Sequence, residues 1–154
     1  AYNLGVRGQD SGDIVGRWRA ECMPRWAQRH ERRLVVSVGL NDLRHGMSTA
    51  RSRLNLANII DEATSSGISP FVVGVPPSAD PELNERVRVL VQAQADVCSR
   101  RGVPYVDCFA PLVSHEQWQT DLATGDGVHP GQAGYGLLAW LVLHGGWGAW
   151  LRVS

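Results

Sequence analysis

The chain has no lysine. All 15 of its basic residues are arginine, and they are matched by 15 aspartates and glutamates, so the formal net charge is zero. That balance gives no bulk attraction for nucleic acid or for an anionic membrane surface. Cysteine is scarce and odd in number: Cys22, Cys98 and Cys108 show neither paired nor metal-type spacing and read as small buried hydrophobes. Long apolar runs are missing as well. The most apolar stretch, residues 136–151, is interrupted by His144-Gly145-Gly146 and falls short of a membrane span. No signal-peptide pattern opens the sequence, which favours the cytoplasm unless a leader precedes Ala1. There is no internal repeat, low-complexity tract or linker, and 154 residues at 44% hydrophobic and 19% charged fit one globular domain with a sizeable core.

What is present alternates between two patterns. Tyr2–Val6 reads as a short strand, followed by a loop punctuated by Gly8 and Gly12. Ser11 stands where a helix N-cap belongs, ahead of an apolar stripe at Ile14, Trp18, Cys22 and Trp26 that Pro24 interrupts. Leu34–Val38 is an apolar run suited to a strand covered on both faces. A polar loop is expected from Asn41 to Ser48, then a helix from Thr49 to Ser66 with Leu56, Ile59, Ile60 and Ala63 inward and Gly67 as its stop. Phe71–Val75 repeats the strand pattern. Asp80-Pro81 opens a helix with a cap and a first-turn proline; Leu83, Val87, Leu90, Val91, Gln94 and Val97 set its period and Gly102 ends it. Pro104–Cys108 is the last strand. Helices over Ser114–Thr120 and Gln132–His144 complete the chain.

Such alternation predicts an α/β protein with a parallel sheet and helices on both faces. Ligands of these sheets bind beyond the carboxyl ends of the strands, and the residues with chemistry fall there: Gly8 after the first strand, Asn41 and Asp42 after the second, Asp126 and His129 after the last. In Asp126-Gly127-Val128-His129-Pro130 a carboxylate precedes an imidazole by three residues on a turn, the spacing of a base and its orienting acid. A glycine N–H at Gly8 and the side-chain amide of Asn41 can donate to an oxygen that becomes negative during acyl transfer. Each also has an ordinary reading: Gly8 as a turn glycine, Asn41-Asp42 as a cap or Asx turn, Asp126-Gly127 as a turn dipeptide and His129 as a surface residue. His30, His45, His115 and His144 show no ligand spacing and read as structural or surface residues. Ser11 reads as a helix cap rather than a nucleophile.

Taken together, these blocks resemble the SGNH hydrolases, the GDSL-type esterases and lipases. Asn3-Leu4-Gly5-Val6-Arg7-Gly8 resembles the family's second block, Gly39-Leu40-Asn41-Asp42 its third, and Asp126-Gly127-Val128-His129-Pro130 its last, in family order. The resemblance implies a three-layer α/β/α, flavodoxin-like fold. It implies a serine esterase or lipase, with Gly8 and Asn41 as the oxyanion hole, His129 as base and Asp126 as its orienter. It implies a small-molecule ester as substrate, and no cofactor or metal. The family's first block, Gly-Asp-Ser, which carries the nucleophile, occurs nowhere in the 154 residues. The expectation is therefore an N-terminally truncated domain whose serine lies upstream of Ala1. With the family strand order 2-1-3-4-5, the missing strand would leave a gap between Tyr2–Val6 and Leu34–Val38, two unpaired edges inside the sheet, and a molten or poorly soluble chain. A catalytically inactive module binding an acyl or carbohydrate ligand at the same edge is the alternative. A flavodoxin-like binding domain without acyl chemistry is a third, remoter one. Trp118 is expected near the site, packed or against an acyl chain or sugar. Oligomeric state and substrate specificity have no signature in the sequence.

Overall fold

Among the described residues four strands make one parallel sheet: β1 Tyr2–Asn3, β2 Arg33–Val36, β3 Ser69–Val73 and β4 Tyr105–Val106, in the order β1-β2-β3-β4, with apolar β-branched residues concentrated in β2 and β3. The structure, a computed structural model, describes residues 2–3, 33–125, 127, 131–147 and 150. The register sets Leu34 beside Pro70, Val36 beside Val72, and Val73 beside Val106. Helices α1 Leu40–Arg44, α2 Thr49–Ser65, α3 Pro81–Arg101, α4 Glu116–Ala123 and α5 Gln132–Val142 connect and cover the strands, and Leu143–Trp147 is a wide turn bent at Gly145 and Gly146.

The pleat sends alternate strand residues to opposite faces. Leu34, Val36 and Val72 pack with Leu56, Ile59 and Ile60 of α2 and Val97 of α3. Phe71, Val106 and Cys108 face the other way, onto Leu138, Leu141, Trp147 and Trp150. The Phe71 ring meets Trp147 edge-on at 5.4 Å and Trp150 at 5.2 Å. The result is the expected α/β/α layering. Local chemistry fixes the helix ends. Ser48 Oγ accepts from the Arg51 N–H at 3.1 Å at the start of α2, and Asp80 Oδ1 accepts from the Glu82 N–H at 3.0 Å at the start of α3. Gly102, at φ 65°, closes α3 in the left-handed conformation.

Several expectations shift. The segment after β2 is not all loop: five residues form α1, because Leu43 is buried and its N–H reaches the Gly39 carbonyl at 3.2 Å. α4 lies two to three residues later than expected, since Trp118 and Leu122, one turn apart, are both fully buried. α5 ends at Val142 rather than His144. The larger correction concerns the expected gap. β1 pairs directly with β2, Tyr2 beside Leu34 and Asn3 beside Val35. The edge of β2 that was expected to stand open has its backbone groups partnered there, so the physical ground for a molten chain is absent. Gly8, Ser11, the stripe at Ile14, Trp18, Cys22 and Trp26, and Asp126 and His129 lie outside the described residues.

Candidate active site

The chain leaves β2 through Val38 and turns at Gly39, where φ is 127°. A Cβ there would lie 2.7 Å from Val75 Cγ2, 2.8 Å from Leu90 Cδ2 and 2.9 Å from Gln94 Nε2, so both the backbone conformation and the space demand glycine. α1 starts at once, and Asn41 stands half-buried in its first turn. Two buried polar groups hold this turn in place. Asp42, fully buried, accepts a short hydrogen bond from Ser52 Oγ of α2. Gln94 of α3 donates through Nε2 to the Val38 carbonyl at 2.9 Å, while its Oε1 accepts from the Tyr105 hydroxyl at 3.1 Å. One side chain thus ties α3 to the exit of β2 and to β4. Burial raises the Tyr105 phenol well above its ordinary range, so it remains a donor at any working pH.

The Asp126–Pro130 turn is described only at Gly127, and its flanks are anchored on both sides. The Gly127 N–H donates to the Leu122 carbonyl at 3.1 Å, and the Gly127 carbonyl accepts from the Ala79 N–H at 2.8 Å. Beyond the turn, Asp121 Oδ2 accepts from the Gly134 N–H at 2.6 Å in the first turn of α5. The Ala79 segment is itself braced: Asn84 Oδ1 accepts from the Ser78 N–H at 2.7 Å and Asn84 Nδ2 donates to the Ser78 carbonyl at 2.9 Å. Trp118 is fully buried and donates through Nε1 to the Pro77 carbonyl at 3.0 Å, which makes it a prop under this loop rather than a ligand contact.

A cavity of about 670 Å³ opens between these loops at the carboxyl ends of the strands. α1 contributes Leu43 and Arg44 to its wall, the β3–α3 loop contributes Ser78, Ala79 and Asp80, α3 contributes Glu82, Leu83 and Arg86, and the turn contributes Gly127. The volume suits a small organic ligand. The structure therefore brings α1, the helix that carries Asn41, and Gly127 to one cavity, although Asn41 itself is not among the residues lining it. Asp126, His129 and Gly8 themselves lie outside the described residues.

The two described cysteines and three of the serines here are taken up structurally. Cys98 and Cys108 are buried, and burial pushes both thiols up to about 12, which removes them as nucleophiles near neutral pH. Ser48 and Ser52 are spent on a cap and on Asp42. Ser78 Oγ accepts from the Asp80 N–H at 3.1 Å. Among the described residues no cluster of three or more His, Cys, Asp or Glu side chains is placed to hold a metal ion, and no helix is long and apolar enough to cross a membrane. Sequence reasoning missed the Gln94 clamp and the Asp42–Ser52 bond. A glutamine on the apolar stripe of α3 was the available signal for the first, since a buried amide must find partners.

The family model of the GDSL-like lipase/acylhydrolase family matches residues 1–137. Among solved structures, the chain is similar to the lipase/acylhydrolase from Enterococcus faecalis, with 24% identity and a TM-score of 0.75 over 92% of this chain and 72% of that one. A GDSL-like lipase from Bacteroides thetaiotaomicron aligns at 21% identity and TM-score 0.73, over 96% and 73% of the two chains. An acetylxylan esterase from Geobacillus stearothermophilus aligns at 19% and 0.73, over 89% and 67%. At these identities the solved structures speak for the fold alone. No curated protein matches the chain. The family model spans the blocks around Gly8, Asn41 and Asp126–Pro130 in one continuous match, and on that ground the chain belongs to the GDSL-like lipase/acylhydrolase family.

Proposed function

We propose that this chain supplies the oxyanion hole, base and orienting acid of a serine-dependent carboxylic ester hydrolase, and that a Gly-Asp-Ser segment preceding Ala1 supplies the nucleophile. The observation that carries the reading is the shared cavity, which the Asn41-bearing helix and Gly127, between Asp126 and His129 in the sequence, both border at the carboxyl edge of the sheet. His129 takes the serine proton as the hydroxyl oxygen attacks the ester carbon. The carbonyl oxygen becomes an oxyanion that accepts from the Gly8 N–H and the Asn41 amide. Asp126 holds the imidazole in the productive tautomer and stabilises the imidazolium. The proton then passes to the departing alcohol, and water releases the acyl group by the same steps in reverse order.

The test is the pH profile of a short-chain p-nitrophenyl ester with protein that includes its Gly-Asp-Ser segment. The base acts unprotonated, so kcat/KM should rise with pH through one ionisation, roughly at 6 to 7. His129→Gln should abolish turnover, while His45→Ala and His115→Ala keep both turnover and the rise. Retained activity with an unaltered profile in His129→Gln removes this residue from the mechanism. Absence of turnover together with saturable ligand binding would instead favour the inactive binding module.

A further inference from the structure

We propose that the cavity selects esters carrying a carboxylate remote from the scissile bond, held by Arg44 and Arg86. This inference rests on the cavity being the ester site. Arg44 enters the wall from the end of α1 and Arg86 from the second turn of α3, so two guanidinium groups from separate elements border one concave space. Both are exposed at its mouth. Elsewhere on the described surface, four arginines meet carboxylates, Arg53 and Arg100 with Asp96, Arg88 with Glu85 and Arg101 with Asp61, while Arg51, away from the cavity, does not. Among the described residues Arg44 and Arg86 have no such partner.

The pattern is sharper because partners stand close by. Glu82 lies four residues before Arg86 on α3, the spacing that commonly pairs acid and base on a helix, yet no ion pair forms. The two acids of the wall have other work. Asp80 caps α3 by accepting from the Glu82 N–H at 3.0 Å, and Glu82 sits in the first turn, where the helix dipole favours negative charge. Two cations are thus left facing the cavity, in a wall whose total charge is zero. A monoanion such as a carboxylate gains a planar, bidentate partner there. The Asp80 and Glu82 carboxylates oppose any anion in the cavity, and oppose a dianion such as a phosphate monoester about twice as strongly as a carboxylate.

Binding without turnover tests this. The full-length protein is titrated calorimetrically with N-(4-nitrophenyl)succinamate and with its neutral counterpart N-(4-nitrophenyl)butyramide, which places a methyl where the first has its carboxylate. The anionic probe should bind about tenfold more tightly, a size suited to solvent-exposed charge pairs, and the preference should shrink as salt is raised. Arg44→Gln/Arg86→Gln should bring the two affinities together. Arg51→Gln, which removes the same charge away from the cavity, should leave the preference in place. Equal affinities in the unaltered protein, or a preference that survives in the double variant, overturns the inference. Hydrolysis of 4-nitrophenyl butyrate is read separately. Turnover without anionic preference sinks the inference and leaves the hydrolase reading standing; arginine-dependent preference without turnover leaves a carboxylate-binding site at Arg44 and Arg86 but overturns both the selection among esters and the hydrolase reading.

Discussion

Asn41 shows how a single residue can be legible in a sequence while its support is not. The Gly-x-Asn-Asp pattern after an apolar run marks it, because a side-chain amide just past a strand end is well placed to meet a developing oxyanion. On the proposed mechanism, Asn41→Ala should lower kcat about 10²–10³-fold with little change in KM, since a bond to the oxyanion strengthens as charge forms; steady-state kinetics on one ester separates the two parameters. A raised KM with kcat intact would make Asn41 a ground-state binding group. Gly39 carries an equally local demand. Gly39→Ala forces a Cβ to within 2.7 Å of Val75 Cγ2 and 2.8 Å of Leu90 Cδ2 at φ 127°. Overpacking alone costs about 1–3 kcal/mol, and the backbone conformation adds to it. Urea unfolding should show a lower midpoint, and kcat should fall as well because α1 starts at this residue. The pattern named the glycine, but only the packing of Val75, Leu90 and Gln94 explains it.

At the level of elements, periodicity located α2 and α3 almost to the residue because each has a cap, an inward stripe and a glycine stop. α1 escaped because its five residues offer one buried apolar side chain, Leu43, and no period can be read from a single point. α4 was displaced for a related reason: its anchor is one turn of Trp118 and Leu122, too short to set boundaries. Gln94 is where three elements meet, and no local pattern reports that. It is 1% exposed, so Gln94→Leu leaves the Val38 carbonyl and the Tyr105 hydroxyl without their partner. An orphaned buried acceptor costs about 1–3 kcal/mol. The expected outcome is a lower unfolding midpoint together with a reduced kcat, because the exit of β2 positions α1. Equal stability of Gln94→Leu and the unaltered protein would show that leucine packing or water satisfies the site.

The whole molecule is where the sequence says least, because strand order is set by pairing between distant segments. Adjacent strands were correctly expected from Leu34 onward, but the direct pairing of Tyr2 with Leu34 and Asn3 with Val35 was not. That pairing bears on the nucleophile. On the proposed mechanism, His129 can activate only a hydroxyl within about 2.6–3.2 Å, at the carboxyl edge of the sheet and near the proposed oxyanion donors. Ser48, Ser52 and Ser78 are engaged in a cap, a buried carboxylate bond and a loop brace. A strand ending in Gly-Asp-Ser, placed between β1 and β2 as the resemblance implies, would meet the geometric requirement, and its entry needs the two β1–β2 pairings to be given up. The 154-residue chain should therefore neither hydrolyse a p-nitrophenyl ester above a denatured control nor take a fluorophosphonate label. Protein carrying the Gly-Asp-Ser segment should do both, with the label on that serine by peptide mapping. A label on Ser11 of the 154-residue chain would overturn the assignment and make the residue after Asp10 the nucleophile of a rearranged triad.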